Sequence, residues 1–422
     1  MALADAAGMT ALRSILRGAA PLTALEALGL LLALLTLPYL MRVLGPADFG
    51  RYAFGVAAGA ALAALVDYGF NQLGPRRVAQ AAESERAAIF WSVQTAKLGL
   101  AALVLLPAGA LAWLPGLHSV YADVMGPALL AVAGTLLFPQ WYLQGLQRYR
   151  LIAGSLALAR CGSALATLAL VRTPQDAALA VGLQTAVGAA AGLLALADGD
   201  HRQSMRFVRP GAGEARRCLR QGLPLFLSTA AVALYTTCVP IILGLLTSPA
   251  TVGLFSAGDK LRAAVQMLLA PIGVAAYPEQ SRRMLADPGA ALGTARQLLA
   301  LQVALGVAAA LAIALLAEPV IRVVIGEAFL PAVPAAQLLG LCIVFTAVSN
   351  TLGMQVMLPL GMERAFSVVL SLGAAIGLLT VWALAPRWQE RGAALAVLAA
   401  ELFVALAMAM VLALVLWRRR VR

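Results

Sequence analysis

The chain has 422 residues, 62% of them hydrophobic, and a formal net charge of +12, with a mean hydropathy of +0.88. Soluble domains are about half apolar, so this composition excludes a soluble enzyme and a soluble nucleic-acid binder. The apolar runs are Leu- and Ala-rich, longer than barrel strands and without two-residue alternation, so they predict an all-α integral membrane protein.

The residues before Gly18 carry Arg13 and Arg17 but no short apolar region with a cleavage site, and are expected to form a retained cytoplasmic lead-in. Twelve spans follow, at roughly 19–41, 52–73, 88–110, 123–144, 151–171, 177–197, 222–246, 254–278, 297–317, 333–358, 366–385 and 393–416. Twenty Lys and Arg residues fall in one set of alternate connections and six in the other. Positive residues favour the cytoplasmic side, so both termini are expected inside.

The longest polar connection, Asp198 to Gln221, is strongly basic and falls between spans six and seven. It divides the chain into an N-terminal six-helix lobe (1–200), a cytoplasmic basic linker (201–221) and a C-terminal six-helix lobe (222–422). Its Glu214–Leu219 part reads as an ordinary linker, with a surface helix on anionic lipid as the alternative. The halves share sequence: GPADFGRYAFG from Gly45 aligns without a gap on SPATVGLFSAG from Ser248, and LQGLQRYRL around Gly145 resembles PLGMERAFS around Gly361. Both halves start inside, so the repeat is parallel, and a substrate is expected at the joint between them. The external segment Glu318 to Pro334 is semi-apolar and is expected as a short interfacial helix.

Chemistry is sparse. There is no GxxxxGK[ST] loop, no HExxH and no GxSxG. His118 and His201 fall in predicted loops, and the four cysteines (Cys161, Cys218, Cys238 and Cys342) show no pairing or metal spacing, with Cys218 expected in a loop. No enzyme, cofactor, metal or nucleic-acid partner is expected. Charges inside spans are expensive and mark pathways by default. The cations are Lys97, Arg160, Lys260 and Arg262, with Arg42 at a span end; the acids are Glu26, Asp67, Asp259 and Glu401. The cations suit an anionic head group such as a diphosphate, and the acids are candidates for ion coupling. The structural alternative is pairing: Asp259 with Arg262 at i,i+3, and Glu26 with Lys97 or Arg160.

The ordered set LPYLMRVLGPADFGRYAF, DYGFNQLGPRRVA, FPQWYLQGLQRYR, LYTTCVPIILGLLTSPATVGLFSAGDKL, SNTLGMQVMLPLGMERAF and ERGAALAVLAAEL resembles the polysaccharide transporter family. This is the O-antigen and exopolysaccharide flippase branch of the multidrug/oligosaccharidyl-lipid/polysaccharide exporter superfamily. The resemblance implies two six-helix lobes in a V shape and alternating access. It implies transfer of an undecaprenyl-diphosphate-linked oligosaccharide between leaflets of the inner membrane, driven by an ion gradient. Arg42 and Lys260 match its RVLG and A-x-K-L segments, and Gly258 departs from an alanine common there. Lipid-linked oligosaccharide and membrane lipids are the implied partners, with room for a glycan polymerase or ligase and for a monomer. The alternatives are a cation-coupled multidrug antiporter, which would want an acidic, aromatic-lined cavity, and a membrane glycan polymerase or ligase, which would want a larger external segment.

Overall fold

The computed structural model describes residues 2–112, 115–200, 205–211 and 213–421; His201 and Arg202 lie outside them. No strand occurs among the described residues. The helices are α1 (Ala2–Asp67), α2 (Phe70–Gln80), α3 (Glu83–Ala112), α4 (Pro115–Ala128), α5 (Leu130–Leu137), α6 (Gln140–Gly145), α7 (Tyr149–Leu170), α8 (Ala177–Thr185), α9 (Val187–Ala195), α10 (Glu214–Leu246), α11 (Pro249–Ala286), α12 (Pro288–Val320), α13 (Val333–Asn350) and α14 (Glu363–Val421). His118 lies in α4, not in a loop.

Among the described residues nine helices are long and apolar enough to cross a membrane. Two of these stretches hold two predicted spans each. The stretch Pro21–Gln80 breaks at Gly45, whose φ of 69° suits glycine, and Pro46 then starts the next helix without needing an N–H partner. The stretch Glu363–Val415 breaks at Gln389. The seventh predicted span lies in α10, where the described apolar part is Thr237–Leu246.

The chain forms two compact units, Met1–Leu44 with Gly55–Ala230, and Gly45–Phe54 with Ala231–Arg422. In the first, Phe90 stacks on Trp141 and meets Tyr142 edge-on, and Phe70 and Val78 of α2 complete that buried cluster. Helix α2 reaches it because Gly74 lies directly against the Trp141 ring, where a Cβ would overlap it. Helices α5 and α9 cross at Gly134 and Gly188, whose backbones are close enough that a Cβ on either would sit 3.0–3.1 Å from the other. Small residues at a crossing give this approach.

In the second unit the ten-residue segment 45–54 packs against the start of α11. A Cβ on Gly50 would overlap the Pro249 carbonyl oxygen, and a Cβ on Gly253 would overlap that of Pro46. The aligned positions thus exchange equivalent contacts, as across a local two-fold axis. Ser248 caps α11, its hydroxyl accepting from the Thr251 N–H at 3.3 Å. Gly258 lets α11 approach α13: a Cβ there would stand 3.1 Å from the Ala336 backbone, which explains the glycine where alanine is common. The segment after α12 is short helical turns, π over Ile321–Ile325 and 3-10 over Glu327–Ala332. It is tied inward by Phe329, edge-on to Phe49 at 5.9 Å.

Candidate functional site

In the first unit Lys97, on α3, is 1% exposed. Its Nζ lies 2.9 Å from Asp67 Oδ1 at the end of α1 and 6.0 Å from the centre of the Phe70 ring. Asp67 also accepts from the Asn71 N–H. The expectation that Glu26 pairs with Lys97 or Arg160 is corrected: Glu26 is exposed, the lysine is taken by Asp67, and Arg160 Nη1 donates to the Leu25 carbonyl at 3.2 Å. Leu25 turns inward and Glu26 outward on the same turn of α1. Arg160 is half-buried beside Gly29, where a Cβ would come within 2.7 Å of its guanidinium. Arg42 is exposed at the end of its helix.

In the second unit Arg262 holds Asp259 through Nε and Nη2, at 2.9 and 2.7 Å, and donates from Nη1 to Gln266 Oε1 at 2.6 Å. The i,i+3 pairing is therefore present. Glu401, on α14, is within electrostatic reach of Arg262. Lys260 is exposed and has no ion pair among the described residues. The structure thus gathers Asp259, Arg262 and Glu401 in one unit and Asp67 with Lys97 in the other.

The basic linker departs from expectation. Cys218 is not in a loop: it is 1% exposed in the first turns of α10, and Arg77 Nη1 donates to its sulfur at 3.1 Å. Ala215 and Leu219 pack on the same aromatic cluster, so the apolar face of Glu214–Leu219 is covered by protein rather than lipid. Glu214 Oε2 accepts from the Ser92 hydroxyl at 2.6 Å and the Gly211 N–H at 3.2 Å. These bonds, the first the larger, hold its carboxyl below the usual glutamate range.

Charge-based reasoning missed a set of neutral side chains. A cavity of about 200 Å³ in the second unit is bordered by Gln266, Gln302, Thr346, Asn350 and Gln355, with Leu269, Ile343 and Met354 among its apolar neighbours. The signal was present: Gln266, Gln302 and Gln355 are amides inside predicted spans, and polar groups there need partners.

The family model described as "Polysaccharide biosynthesis protein" matches residues 15–284. A protein of Escherichia coli (strain K12), described as a proposed O-antigen transporter, is 32% identical over 376 residues, covering 89% of this chain and 91% of its own. The chain belongs to the polysaccharide biosynthesis protein family. A second member from Shigella dysenteriae, with the same description, is 26% identical, covering 89% of this chain and 94% of its own. Among solved structures, the fold matches the lipid II flippase MurJ in an inward closed conformation, with a TM-score of 0.69 at 11% identity, covering 94% and 87% of the two chains. It also matches an inward-facing multidrug resistance MATE family transporter of the MOP superfamily, with a TM-score of 0.62 at 14% identity, covering 90% and 94%. At these identities the likeness is one of fold: this family member shares the all-helical fold of those two proteins.

Proposed function

We propose that the protein is a flippase that moves an undecaprenyl-diphosphate-linked oligosaccharide, an O-antigen or exopolysaccharide repeat unit, from the cytoplasmic to the periplasmic leaflet of the inner membrane. The observation that carries this reading is the likeness, over 89% of the chain, to relatives described as proposed O-antigen transporters. It acts as a transporter rather than an enzyme, with both termini cytoplasmic and a polymerase or ligase taking the glycan on the far side.

The charges take different parts in this reading. Arg160 offers a guanidinium held in place by one backbone carbonyl, leaving donors free for phosphate oxygens. Lys260 and Arg42 are the exposed cations to be tested for the same role. Lys97 is neutralised by Asp67, so its charge becomes available only when Asp67 takes up a proton or another cation. Binding at Asp67 then shifts the transport cycle because the two states differ in affinity for that ion. Asp259 and Glu401 beside Arg262 form the corresponding group in the second unit.

Deleting the gene tests the reading. The expected result is loss of surface glycan and accumulation of its lipid-linked precursor with cytoplasmic orientation, both reversed by the wild-type gene. Normal surface glycan in the deletion strain would overturn it.

A further inference from the structure

The cavity of the second unit has a chemistry that the charged residues do not share. Among the described residues its polar side chains are amides and a threonine hydroxyl, and no Asp, Glu, Lys or Arg lines it. Gln355 is 2% exposed. Its Nε2 donates to the Gly273 carbonyl at 2.7 Å, which fixes the amide orientation, because a carbonyl oxygen there would meet another acceptor. Its Oε1 is then turned away and has no hydrogen-bond partner among the described residues. A buried amide oxygen left so is costly, because it has given up water without gaining a donor.

The local backbone is built around this residue. Thr351–Met357 is π-helical, the Leu358 N–H reaching back to the Gly353 carbonyl, and single π turns concentrate at functional sites. Gly273 leaves the facing wall of α11 bare: a Cβ there would stand 3.5 Å from Gln302 Nε2 and 3.9 Å from Gln355 Nε2. Gln266 is held by Arg262 through its oxygen, so its amide nitrogen is free to donate.

Three ligand classes can be weighed against this border. A bare cation wants a shell of oxygens, whereas two amide nitrogens converge beside Gly273. A phosphate wants cationic donors, and the lining has none. A neutral polyol both donates and accepts at every hydroxyl, matching a border of amide N–H groups, amide and hydroxyl oxygens and apolar side chains for its C–H faces. At ~30 Å³ per water the cavity holds the volume of about seven waters, below the ~300 Å³ of the smallest drug-sized pockets. That is room for one sugar ring, not for a chain of them.

We infer that this cavity, through Gln355, Gln302, Gln266 and Asn350, binds one neutral sugar ring of the transported glycan. The inference rests on the flippase reading and names where the second unit meets the sugar rather than the phosphate.

The test uses the full-length protein in lipid nanodiscs and two probes. One is undecaprenyl diphosphate without sugar. The other is the lipid-linked glycan extracted from the strain lacking this gene. Wild-type protein is expected to bind the glycan-bearing lipid about ten-fold tighter than the sugar-free one, the worth of one or two net hydrogen bonds. In Gln355→Leu this ratio is expected to fall to about one, with sugar-free binding unchanged. Asn350→Leu, at an exposed position on the border, is expected to lower it about three-fold and decides the matter if Gln355→Leu does not fold. Equal wild-type affinities, or a ratio retained in both variants, would overturn the inference while leaving the flippase reading intact. So would a sodium-dependent rise in melting temperature that Gln355→Leu abolishes with the ratio unchanged, since that assigns the cavity to an ion. Failure of the wild type to bind either lipid would bring down the flippase reading and this inference with it.

Discussion

Lys97 Nζ and Asp67 Oδ1 are 2.9 Å apart, with side-chain exposures of 2% and 19%. The lysine depends on the aspartate more than the reverse, because among the described residues no other acid pairs with it and it has little access to solvent. Removing one partner of a buried pair costs about 3–5 kcal/mol, while replacing both by neutral residues costs far less. Asp67→Ala is therefore expected to lower the melting temperature of the purified protein more than Lys97→Met, and Asp67→Asn with Lys97→Met to recover most of the loss. Glycan export is expected to stay defective in the recovered double variant. Normal export there would make the pair purely structural.

The reciprocal contact of Gly50 with Pro249 and Gly253 with Pro46 leaves no space for a methyl group on either side. Backbone cannot swing aside as a side chain can, so Gly50→Ala and Gly253→Ala are each expected to destabilise by about 1–3 kcal/mol. Gly154→Ala, where a Cβ meets nothing within 4 Å, is expected to be neutral or to stabilise by up to ~1 kcal/mol through helix propensity. Thermal melting of the three variants in one detergent checks the contrast.

Gly29 makes room for the Arg160 guanidinium. Gly29→Val is expected to push the guanidinium off the Leu25 carbonyl and to reduce export in the same direction as Arg160→Ala, at normal protein levels. Arg160→Lys is expected to fall short of rescue, since a point charge lacks the planar fork. Full export in Gly29→Val and Arg160→Ala together would remove this residue from the transport step.

Glu214 gives a pH-dependent prediction. Its carboxyl is held below the usual glutamate value by the Ser92 hydroxyl and then the Gly211 N–H. The stabilisation is present above the ordinary value of ~4.3 and is lost as pH falls through the lowered one. Glu214→Gln is thus expected to lower the melting temperature at about pH 7, with the difference from wild type shrinking as pH drops below ~4.3. A difference independent of pH would contradict the assignment.

Much of this architecture is legible in the residues, for reasons that differ by element. Span positions follow from apolar length, and the break at Gly45-Pro46 from two residues with unusual backbone demands. The relation of Gly45–Gly55 to Ser248–Gly258 shows as an ungapped alignment, yet contact between the two segments is invisible there, since similarity carries no distance. Charges inside spans stand out by their cost, but their partners depend on helix rotation, which placed Asp67 rather than Glu26 against Lys97. The burial of Cys218 was missed because the basic residues around it mask an apolar stripe of Ala215, Cys218 and Leu219. The amide cluster around Gln355 was missed because neutral side chains add nothing to a charge tally.

The central claim is that the protein carries a lipid-linked oligosaccharide across the bilayer. Its most direct test is reconstitution into liposomes with a fluorescent undecaprenyl-diphosphate-linked glycan, scored by how much probe becomes accessible to an impermeant quencher on the opposite face. The account predicts protein-dependent transfer that requires the glycan-bearing lipid and is lost in Arg160→Ala. Transfer no faster than in protein-free liposomes, under ion gradients of either direction, would contradict it.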